Sequence, residues 1–376
     1  MAALAYQTYE IVQQQISTII DLKWMDEESK LILLGGIMIN IDDDAPDLFI
    51  PLNFQSYSKD GSVNDLLEKA FKSDKKDLPV VAVKNIFIVP EIESKKAKLT
   101  SQQSSTLNEH FKSALPGSRV EELVYESISK LGIDKANTVF AQSSCPDELN
   151  HDDYAEDITH LMTNRWGEVF PLGGLAGLPF TGLTGWGAFS HHVPDNGNIV
   201  VLYAPHVGIT KDGVVGKVHR HGQAHLTSAC GASIGAYNSL KQDDTSGDHR
   251  RLKGTNKNNL QMDFIIESLK PVMKNLMASD DQNERMAALA YETYAMVEKM
   301  LFDIIDRKWM SEDSKLVLLG GIMINVDGEA ADMFIPLNFS VENGKDGSVD
   351  DLMEKVFGEL AYKHTLPVPK KECQKG

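Results

Sequence analysis

The first 54 residues of the chain return, little changed, near its end. Residues 1–54 recur at 286–339, and the two copies are identical at 36 of 54 aligned positions. The motif KDGSVNDLLEKAF at 59–71 then returns as KDGSVDDLMEKVF at 345–357. A period of about 285 residues is far longer than that of solenoid repeats. The chain is therefore predicted to hold one full unit plus an extra copy of the repeated segment.

Each copy of the repeat is predicted to form two helices and a short extended tail. In the first copy, Leu4, Tyr9 and Val12 begin a helical stripe. The run MDEESKLILLGGIMIN is expected to start a second, buried helix with Asp26 as its N-cap. The tail DLFIPLNF is apolar but interrupted by proline, which favours an edge strand. Neither copy contains a residue pattern typical of a catalytic or binding site, so both are interpreted as packing or dimerisation elements.

Between the copies, helical patterns alternate with continuous apolar runs. The runs are LPVVAVKNIFIVP (78–90), NTVFAQSSC (137–145) and GNIVVLYAPHVGI (197–209). Helices are expected over RVEELVYESISKLG, GASIGAYNSLK and LQMDFIIESLKPVMKNLM, the last bent near Pro271, with polar loops at 91–105 and 242–259. This alternation predicts an α/β fold with a mostly parallel central sheet flanked by helices and a duplicated helical segment at both ends. The predicted segments are a first repeat copy (1–77), an α/β domain (78–285), a second repeat copy (286–357) and a polar tail (358–376).

Charge and composition exclude several classes of protein. The net charge of −17, with no basic patch to oppose it, argues against binding to nucleic acid or an anionic membrane. The longest apolar run, LILLGGIMINI, is too short to span a bilayer. Three cysteines cannot build a disulfide framework, which favours a reducing compartment. No targeting signal is visible at the N-terminus, although a longer tandem protein could carry one upstream of Met1.

Three residues are predicted to lie where ligands bind in open α/β sheets, beyond the strand ends. Cys145 and His206 fall at or near the ends of predicted strands, and Cys230 precedes a predicted helix, whose dipole favours a thiolate. Two thiolates and an imidazole form a known catalytic zinc set that leaves a fourth position for water. The alternative is that the cysteines are small core side chains and the histidine is inert. Separations of 61 and 24 residues match no short zinc motif, so spacing leaves both interpretations open.

The segment at 164–209 is unusual because six glycines between Gly173 and Gly187 alternate with Leu, Phe and Trp. So many apolar residues predict a segment folded over an apolar pocket rather than a solvated loop. Together with SSCPDELN and LTSACGASIGAY, the segment strongly resembles the limiting-CO2-inducible protein B family of algal inorganic-carbon-concentrating systems. The resemblance covers roughly residues 80–357 and implies a β-carbonic-anhydrase-like fold with a zinc cofactor.

The resemblance also implies roles for individual residues. The zinc ligands would be Cys145, His206 and Cys230, and Asp147 would be the catalytic aspartate two residues after the first cysteine. The β-class enzymes pair this aspartate with a nearby arginine, but position 149 is Leu, so the arginine role is assigned to Arg165. The alternative for Arg165 is an ordinary surface salt bridge.

A substrate pocket and a proton path are expected near these residues. CO2 is small and apolar, so Phe180, Trp186 and Phe189 are the candidate pocket residues. His191 and His192 could relay the proton to solvent, because histidine titrates near neutral pH, or they could be plain surface residues.

The family resemblance implies a zinc-dependent carbonic anhydrase that reversibly hydrates CO2 to bicarbonate with a zinc-bound hydroxide. The alternative is a catalytically silent, zinc-binding relative that acts as a partner protein in a CO2-concentrating complex. The resemblance further implies a homodimer in the chloroplast. It also implies that residues 286–357 complete the catalytic unit, while residues 1–71 are the tail of a preceding unit.

Overall fold

The computed structural model describes residues 2–41, 46–71, 80–82, 98–151, 157–220, 222–246, 258–328 and 330–358. The chain divides into two compact units, Met1–Ile92 and Glu93–Gly376. Within the described residues, we find no helix with the length and apolarity needed to cross a membrane.

The first unit consists of a helix and a small antiparallel sheet. Its elements are α1 (Ala2–Ile19), a 3-10 turn (Leu22–Trp24), β1 (Lys30–Ile39), β2 (Leu48–Ser58), β3 (Val63–Asp65), α2 (Leu67–Phe71) and β4 (Val81–Ala82). Strands β1 and β2 form a hairpin, and the short strands β3 and β4 both pair with β2. Among the described residues, β1 therefore forms one edge of this sheet.

The second unit is an α/β structure built from nineteen helices and strands within the described residues. They are α3 (Ser101–His110), β5 (Leu115–Pro116), α4 (Gly117–Ser129), β6 (Thr138–Ser144), α5 (Ile158–Trp166), β7 (Val169–Pro171), α6 (Gly182–Ser190), β8 (Asn198–Ala204), β9 (His206–Ile209), β10 (Lys217–His219), β11 (Leu226–Ser228), α7 (Gly231–Ser246), α8 (Leu260–Leu269), α9 (Met273–Leu276), α10 (Gln282–Ile304), β12 (Lys315–Val326), β13 (Met333–Asn343), β14 (Val349–Asp351) and α11 (Met353–Phe357). Short 3-10 turns lie at Lys135–Asn137, Glu148–His151, Leu175–Gly177 and Lys270–Val272.

The main sheet has the strand order β14-β13-β12-β8-β6-β7, with β9 also paired to β12 and β5 to β13. Strands β12, β8, β6 and β7 are parallel, and β13 joins them antiparallel to β12. The two faces of the sheet carry separate apolar cores. Val201 and Tyr203 of β8 point into one core, whereas Val200 and Leu202 point into the other. The predicted α/β fold with a mostly parallel, helix-flanked sheet is confirmed.

The prediction of a second helix in each repeat copy is wrong, because LLGGIMIN forms β1 in one copy and β12 in the other. Strand β12 lies between β13 and β8–β9 with both faces buried, and its positions from Leu316 to Ile324 are all apolar. A strand buried on both faces has no period of two, and apolarity alone cannot distinguish it from a buried helix. The two adjacent glycines of this run were the sequence feature that could have indicated a strand with close neighbours. Any side chain at Gly320 would meet the ring of Tyr203, and any at Gly321 would meet the Ile335 carbonyl.

The proline-interrupted tail forms β13, one position in from the sheet edge and flanked on its outer side only by the short β14 and β5. Its Pro336 lies opposite Gly321, at the register shift where a bulge tolerates the missing amide. The expected strand at 78–90 is described only at Val81–Ala82, and residues 83–97 lie outside the described residues.

Two loop predictions need correction and one bend is confirmed. Part of the expected loop at 91–105 belongs to α3, which Thr100 and Gln103 begin with a reciprocal capping box. Helix α7 extends to Ser246, into the segment expected to be loop from 242. The bend near Pro271 is present, as a 3-10 turn between α8 and α9.

Candidate metal centre

Three side chains that are distant in sequence meet at the carboxyl ends of the parallel strands. Cys145 directly follows β6, His206 opens β9 after the break at Pro205, and Cys230 directly precedes α7. All three side chains are buried, and their ligand atoms lie within 4.8 Å of one another. The structure thus brings together the three residues that the sequence analysis assigned to zinc.

The spacing of the cluster fits a cation with tetrahedral coordination. The two sulfur atoms, Sγ of Cys145 and Sγ of Cys230, are 3.7 Å apart. Two Zn–S bonds of about 2.3 Å at a tetrahedral angle would separate the sulfurs by about 3.8 Å. Nε2 of His206 is buried and has no hydrogen-bond partner among the described residues, as expected for a nitrogen whose partner is a cation.

Asn325, on β12, orients the imidazole. Its side-chain oxygen lies 2.7 Å from Nδ1 of His206, while its amide nitrogen donates to the Leu149 carbonyl and to Asp332. This arrangement makes Oδ1 the acceptor and places the histidine proton on Nδ1. Nε2 is therefore the ring nitrogen of His206 whose lone pair is available to a cation. A partner on the second ring nitrogen is typical of histidines that bind metal.

The electrostatics of the cluster favour the binding of a cation. The hydrogen bond with Cys145 lowers the pKa of Cys230 well below its ordinary value, against the opposing effect of burial. The same hydrogen bond, with burial, raises the pKa of Cys145. Burial would lower the pKa of His206, but the charges of Cys230 and Asp147 outweigh it and raise the pKa to about 9. Without a cation the cluster therefore retains protons, which a divalent ion would replace.

Asp147 lies at the edge of the cluster and is held by Arg220 through two parallel hydrogen bonds. Nη1 and Nη2 of the guanidinium are each 2.8 Å from a different oxygen of the carboxylate. Oδ2 of Asp147 is also 3.8 Å from Nε2 of His206. Burial raises the pKa of Asp147, but the Arg220 hydrogen bonds and the charge of His206 outweigh it, so the pKa is lowered. The carboxylate is thus ionised and fixed beside the ligand cluster.

A short hairpin, β10–β11, fixes Arg220 in turn. The arginine directly follows β10, donates from Nε to Thr227, and donates from Nη2 to the Ser228 carbonyl. A further contact joins its Nη1 to Glu148. Four polar partners therefore define its side-chain position.

The expected pairing of Asp147 with Arg165 is absent. Arg165, at the end of α5, instead donates to Glu121 at 2.5 Å and lies over the ring of Tyr125, 4.1 Å from its centroid. Both partners belong to α4, which packs on α5, so helix packing determines where this arginine points. Arg220 and Asn325 are the residues that sequence reasoning missed. Arg220 was flanked by two histidines ten residues before Cys230, which is the only signal that the sequence offered.

The glycine-rich segment supports the strand ends that carry the ligands. A side chain at Gly173 would meet the backbone of Ser144, and one at Gly177 would meet the carbonyl of Ala204. Gly177 also has a positive φ of 81°, which favours glycine. The hydroxyl of Ser143 donates to the Gly177 carbonyl at 2.8 Å. This segment therefore packs directly on the ends of β6 and β8, next to Cys145 and His206.

A small cavity of about 10 Å³, room for about one water molecule, adjoins His206 and Cys230. It is lined mainly by apolar and small residues: Val207, Gly216, Ala229, Ser233, Ile234, Met286, Leu289, Ala290 and Thr293. None of the expected pocket residues lines it. Trp186 and Phe189 are fully buried core residues in edge-to-face contact, and Phe180 packs on Phe264. Their role in a substrate pocket stays a prediction, and α10 supplies much of the wall of the cavity beside His206 and Cys230.

His191 and His192 lie on the surface, directly after α6. The ring of His192 packs against Phe170, with 5.8 Å between centroids. Neither residue belongs to the ligand cluster or lines the adjoining cavity. Their role as a proton relay stays a prediction.

The fold and this cluster define an α/β protein with a buried Cys–His–Cys group at its strand ends that could hold a metal ion. The chain belongs to the family described as limiting CO2-inducible proteins B/C beta carbonic anhydrases, whose family model matches residues 114–343. The crystal structure of PtLCIB4, a homolog of the limiting CO2-inducible protein LCIB, is similar, with a TM-score of 0.58 and 27% identity over 66% of this chain and 98% of that chain. A histidine-to-alanine mutant of PtLCIB4 aligns with a TM-score of 0.60 and 26% identity, over 67% of this chain and 99% of that chain. No curated protein matched the chain.

Proposed function

We propose that the chain is a zinc-dependent carbonic anhydrase that converts CO2 and water into bicarbonate and a proton. The observation that carries the proposal is the Asp147 carboxylate, held by two hydrogen bonds from Arg220 at the edge of a buried Cys–His–Cys cluster. A purely structural zinc site takes four protein ligands, whereas three leave a position open for water. Membership of the carbonic anhydrase family supports the same reaction.

The side chains of this chain have separate roles in the proposed reaction. Cys145, Cys230 and Nε2 of His206 would hold the ion, and zinc, when bound, lowers the pKa of a coordinated water toward about 7. Asp147 accepts a hydrogen bond from the attacking water and so directs a lone pair toward the carbon of CO2. Arg220 keeps Asp147 ionised and aimed, because a nearby opposite charge favours the carboxylate.

The apolar side of the cavity wall suits an uncharged reactant, and the space as it stands admits about one water-sized molecule. Leu289 and Ala290 of α10 and Ile234 of α7 offer no hydrogen bond that would hold water in preference to CO2. Bicarbonate is charged and gains nothing from these walls, which favours its departure to solvent. The attacking water gives up one proton for each bicarbonate formed.

The test uses the purified full chain, with zinc quantified per chain and CO2 hydration followed by stopped-flow acidification of a weak buffer. We expect one zinc per chain and hydration well above the uncatalysed rate. Hydration should be lost on chelation and restored by added zinc. A protein with one zinc per chain and only the uncatalysed rate would support the silent, partner-binding alternative instead.

A further inference from the structure

The two copies of the repeat have nearly the same sequence but very different surroundings. In the second unit, Leu289 is 2% exposed and Val297 is 0% exposed, because α10 packs on the main sheet. Their identical counterparts on α1, Leu4 and Val12, are 59% and 49% exposed. The same contrast holds in the strands, where Met323 of β12 is 1% exposed and Met38 of β1 is 67% exposed. The first copy therefore exposes a face that the second copy buries.

The strand edge differs in the same way. Strand β12 pairs on one side with β13 and on the other with β8 and β9. Strand β1 pairs with β2, the counterpart of β13, and forms the opposite edge of its sheet among the described residues. An open edge beside exposed apolar side chains is a template for another strand.

The first unit has a groove beside the place where a tyrosine packs in the second unit. In the second unit, Tyr203 of β8 packs directly on Gly320, since any side chain there would lie 2.2 Å from its ring. The ring of Tyr203 also stacks on Tyr294, with 5.9 Å between centroids. The counterpart of Gly320 in the first unit is Gly35, where a side chain would meet the Tyr9 hydroxyl at 3.2 Å and, among the described residues, no residue of a neighbouring strand like β8. A groove of about 420 Å³ lies beside the next residue, Gly36, and Tyr9. Its remaining lining residues are Leu4, Ala5, Thr8, Val12 and Ile37.

A polar group in this groove also lacks its partner. The hydroxyl of Tyr9 is buried and has no hydrogen-bond partner among the described residues. The hydroxyl of its counterpart Tyr294 donates to Glu298 at 2.5 Å and lies 3.5 Å from that of Tyr203. Gln13 occupies the position of Glu298 and can still bind two hydroxyl groups.

The residues that support the metal centre are kept in the first copy. Asn325, which holds His206, corresponds to Asn40. The cavity residues Leu289, Ala290 and Thr293 correspond to Leu4, Ala5 and Thr8, which are identical and line the groove.

We propose that the apolar face of α1 and the open edge of β1 form a docking surface for a second α/β half of the kind that residues 98–285 form. That half would place a strand like β8 along β1 and a tyrosine like Tyr203 beside Gly35, where it meets the Tyr9 hydroxyl. The proposal goes beyond the catalytic function and does not depend on it, since the contacts that carry it are apolar packing and strand pairing.

The test joins an additional copy of residues 98–285 to the full chain ahead of Met1, so that the half and the repeat follow one another without a gap or added linker. We expect the backbone amides of β1 to gain protection from hydrogen exchange relative to the unextended chain. Binding of an apolar dye to the unextended chain should be lost, because the exposed face is covered. Zinc per chain, measured apart from activity, should rise from one to two.

Two lysine substitutions on α1 serve as a matched pair in the extended chain. Val12→Lys places a charge where the buried Val297 has none, and it should restore dye binding and fast exchange in β1. Gln14→Lys adds the same charge on the same helix, but its counterpart is the exposed Lys299, so it should change neither.

Three outcomes would overturn the proposal. The first is an extended chain whose β1 amides exchange as fast as before. The second is an extended chain that aggregates while the unextended chain stays soluble. The third is an unextended chain that pairs with itself through this face, so that Val12→Lys dissociates it, while the added half has no effect.

Discussion

Arg220 reaches Asp147 across 73 positions of sequence, and the reason lies in the residues that surround its guanidinium. The hairpin that carries it folds back so that Thr227 and the Ser228 carbonyl accept from one edge while the carboxylate accepts from another. Such a contact depends on hairpin closure and not on a local motif. The ligands Cys145, His206 and Cys230 could be assigned from strand ends and family resemblance, whereas Arg220 and Asn325 could not.

The metal ligands give the first prediction at this scale. Cys230→Ser should abolish stoichiometric zinc, because a hydroxyl does not ionise to replace the thiolate at neutral pH. Metal content per chain, measured on purified protein, tests this. Cys373→Ser is the matched control and should retain full zinc, since this residue lies in the polar tail, outside the described residues. Full zinc in Cys230→Ser would rule out this ligand set.

The second prediction compares two arginines. Arg220→Ala should lower CO2 hydration by about 10- to 100-fold, the usual effect of losing a residue that positions a metal-site group. Arg165→Ala should leave hydration unchanged, because its partners are Glu121 and Tyr125. Steady-state hydration and zinc content of both variants distinguish a positioning role from general destabilisation. Equal losses in the two variants would contradict the role given to Arg220.

The third prediction concerns Asp147 itself. Asp147→Asn keeps the shape of the side chain but can present an amide donor where an acceptor is needed, so turnover should fall by about 10²-fold or more with zinc retained. The double variant with Arg220→Ala should be little worse than Asp147→Asn alone, because residues acting as one unit are not additive. Losses that simply sum, in a double-mutant cycle of hydration rates, would show that the two residues act separately.

At the scale of elements, the alternation of helices and apolar runs correctly predicted the mostly parallel sheet. The same reasoning wrongly predicted a helix for β12, a central strand of that sheet. That strand is paired on both sides and buried on both faces, so its sequence has no periodic signal. The paired glycines become meaningful only when Tyr203 is known to pack on Gly320. Partner identity, and not local propensity, determined the conformation of this segment.

The fourth prediction uses the two copies of that strand. Gly320→Ala should destabilise the second unit, because the new methyl would lie 2.2 Å from the Tyr203 ring. The expected cost is about 1–3 kcal/mol, which is typical of overpacking a close-packed core. Gly35→Ala, at the same position of the other copy, meets its nearest atom at 3.2 Å, the Tyr9 hydroxyl, and should cost less. Denaturant unfolding of both variants measures the difference. A larger cost for Gly35→Ala would contradict this account of the packing.

On the scale of the whole molecule, the second repeat copy and the α/β half share one sheet and the apolar cores on both of its faces. Strand β12 lies between β8 and β13, and α10 contributes to the core that Cys145 and Cys230 also join. The first copy belongs to a different compact unit, Met1–Ile92. The two copies should therefore respond very differently to deletion.

The fifth prediction is that removal of residues 286–376 exposes the β8 edge and causes aggregation. Removal of residues 1–92 should leave a folded protein that binds zinc. Size-exclusion chromatography and metal content of the two truncated chains test the contrast. A soluble, zinc-loaded chain without residues 286–376 would refute the completing role proposed for the second copy.

The position of Asn325 has a consequence for how the chain is made. All three ligands leave the ribosome before it does, and Asn325 follows Cys230 by 95 residues. At about 5–20 residues per second, that delay is about 5 to 20 seconds, during which His206 lacks the partner that orients it. Nascent chains arrested between these two residues should therefore hold zinc more weakly than finished ones. If the proposed zinc site is correct, metal loading is timed by translation, since a strand synthesised after all three proposed ligands completes the support of the site.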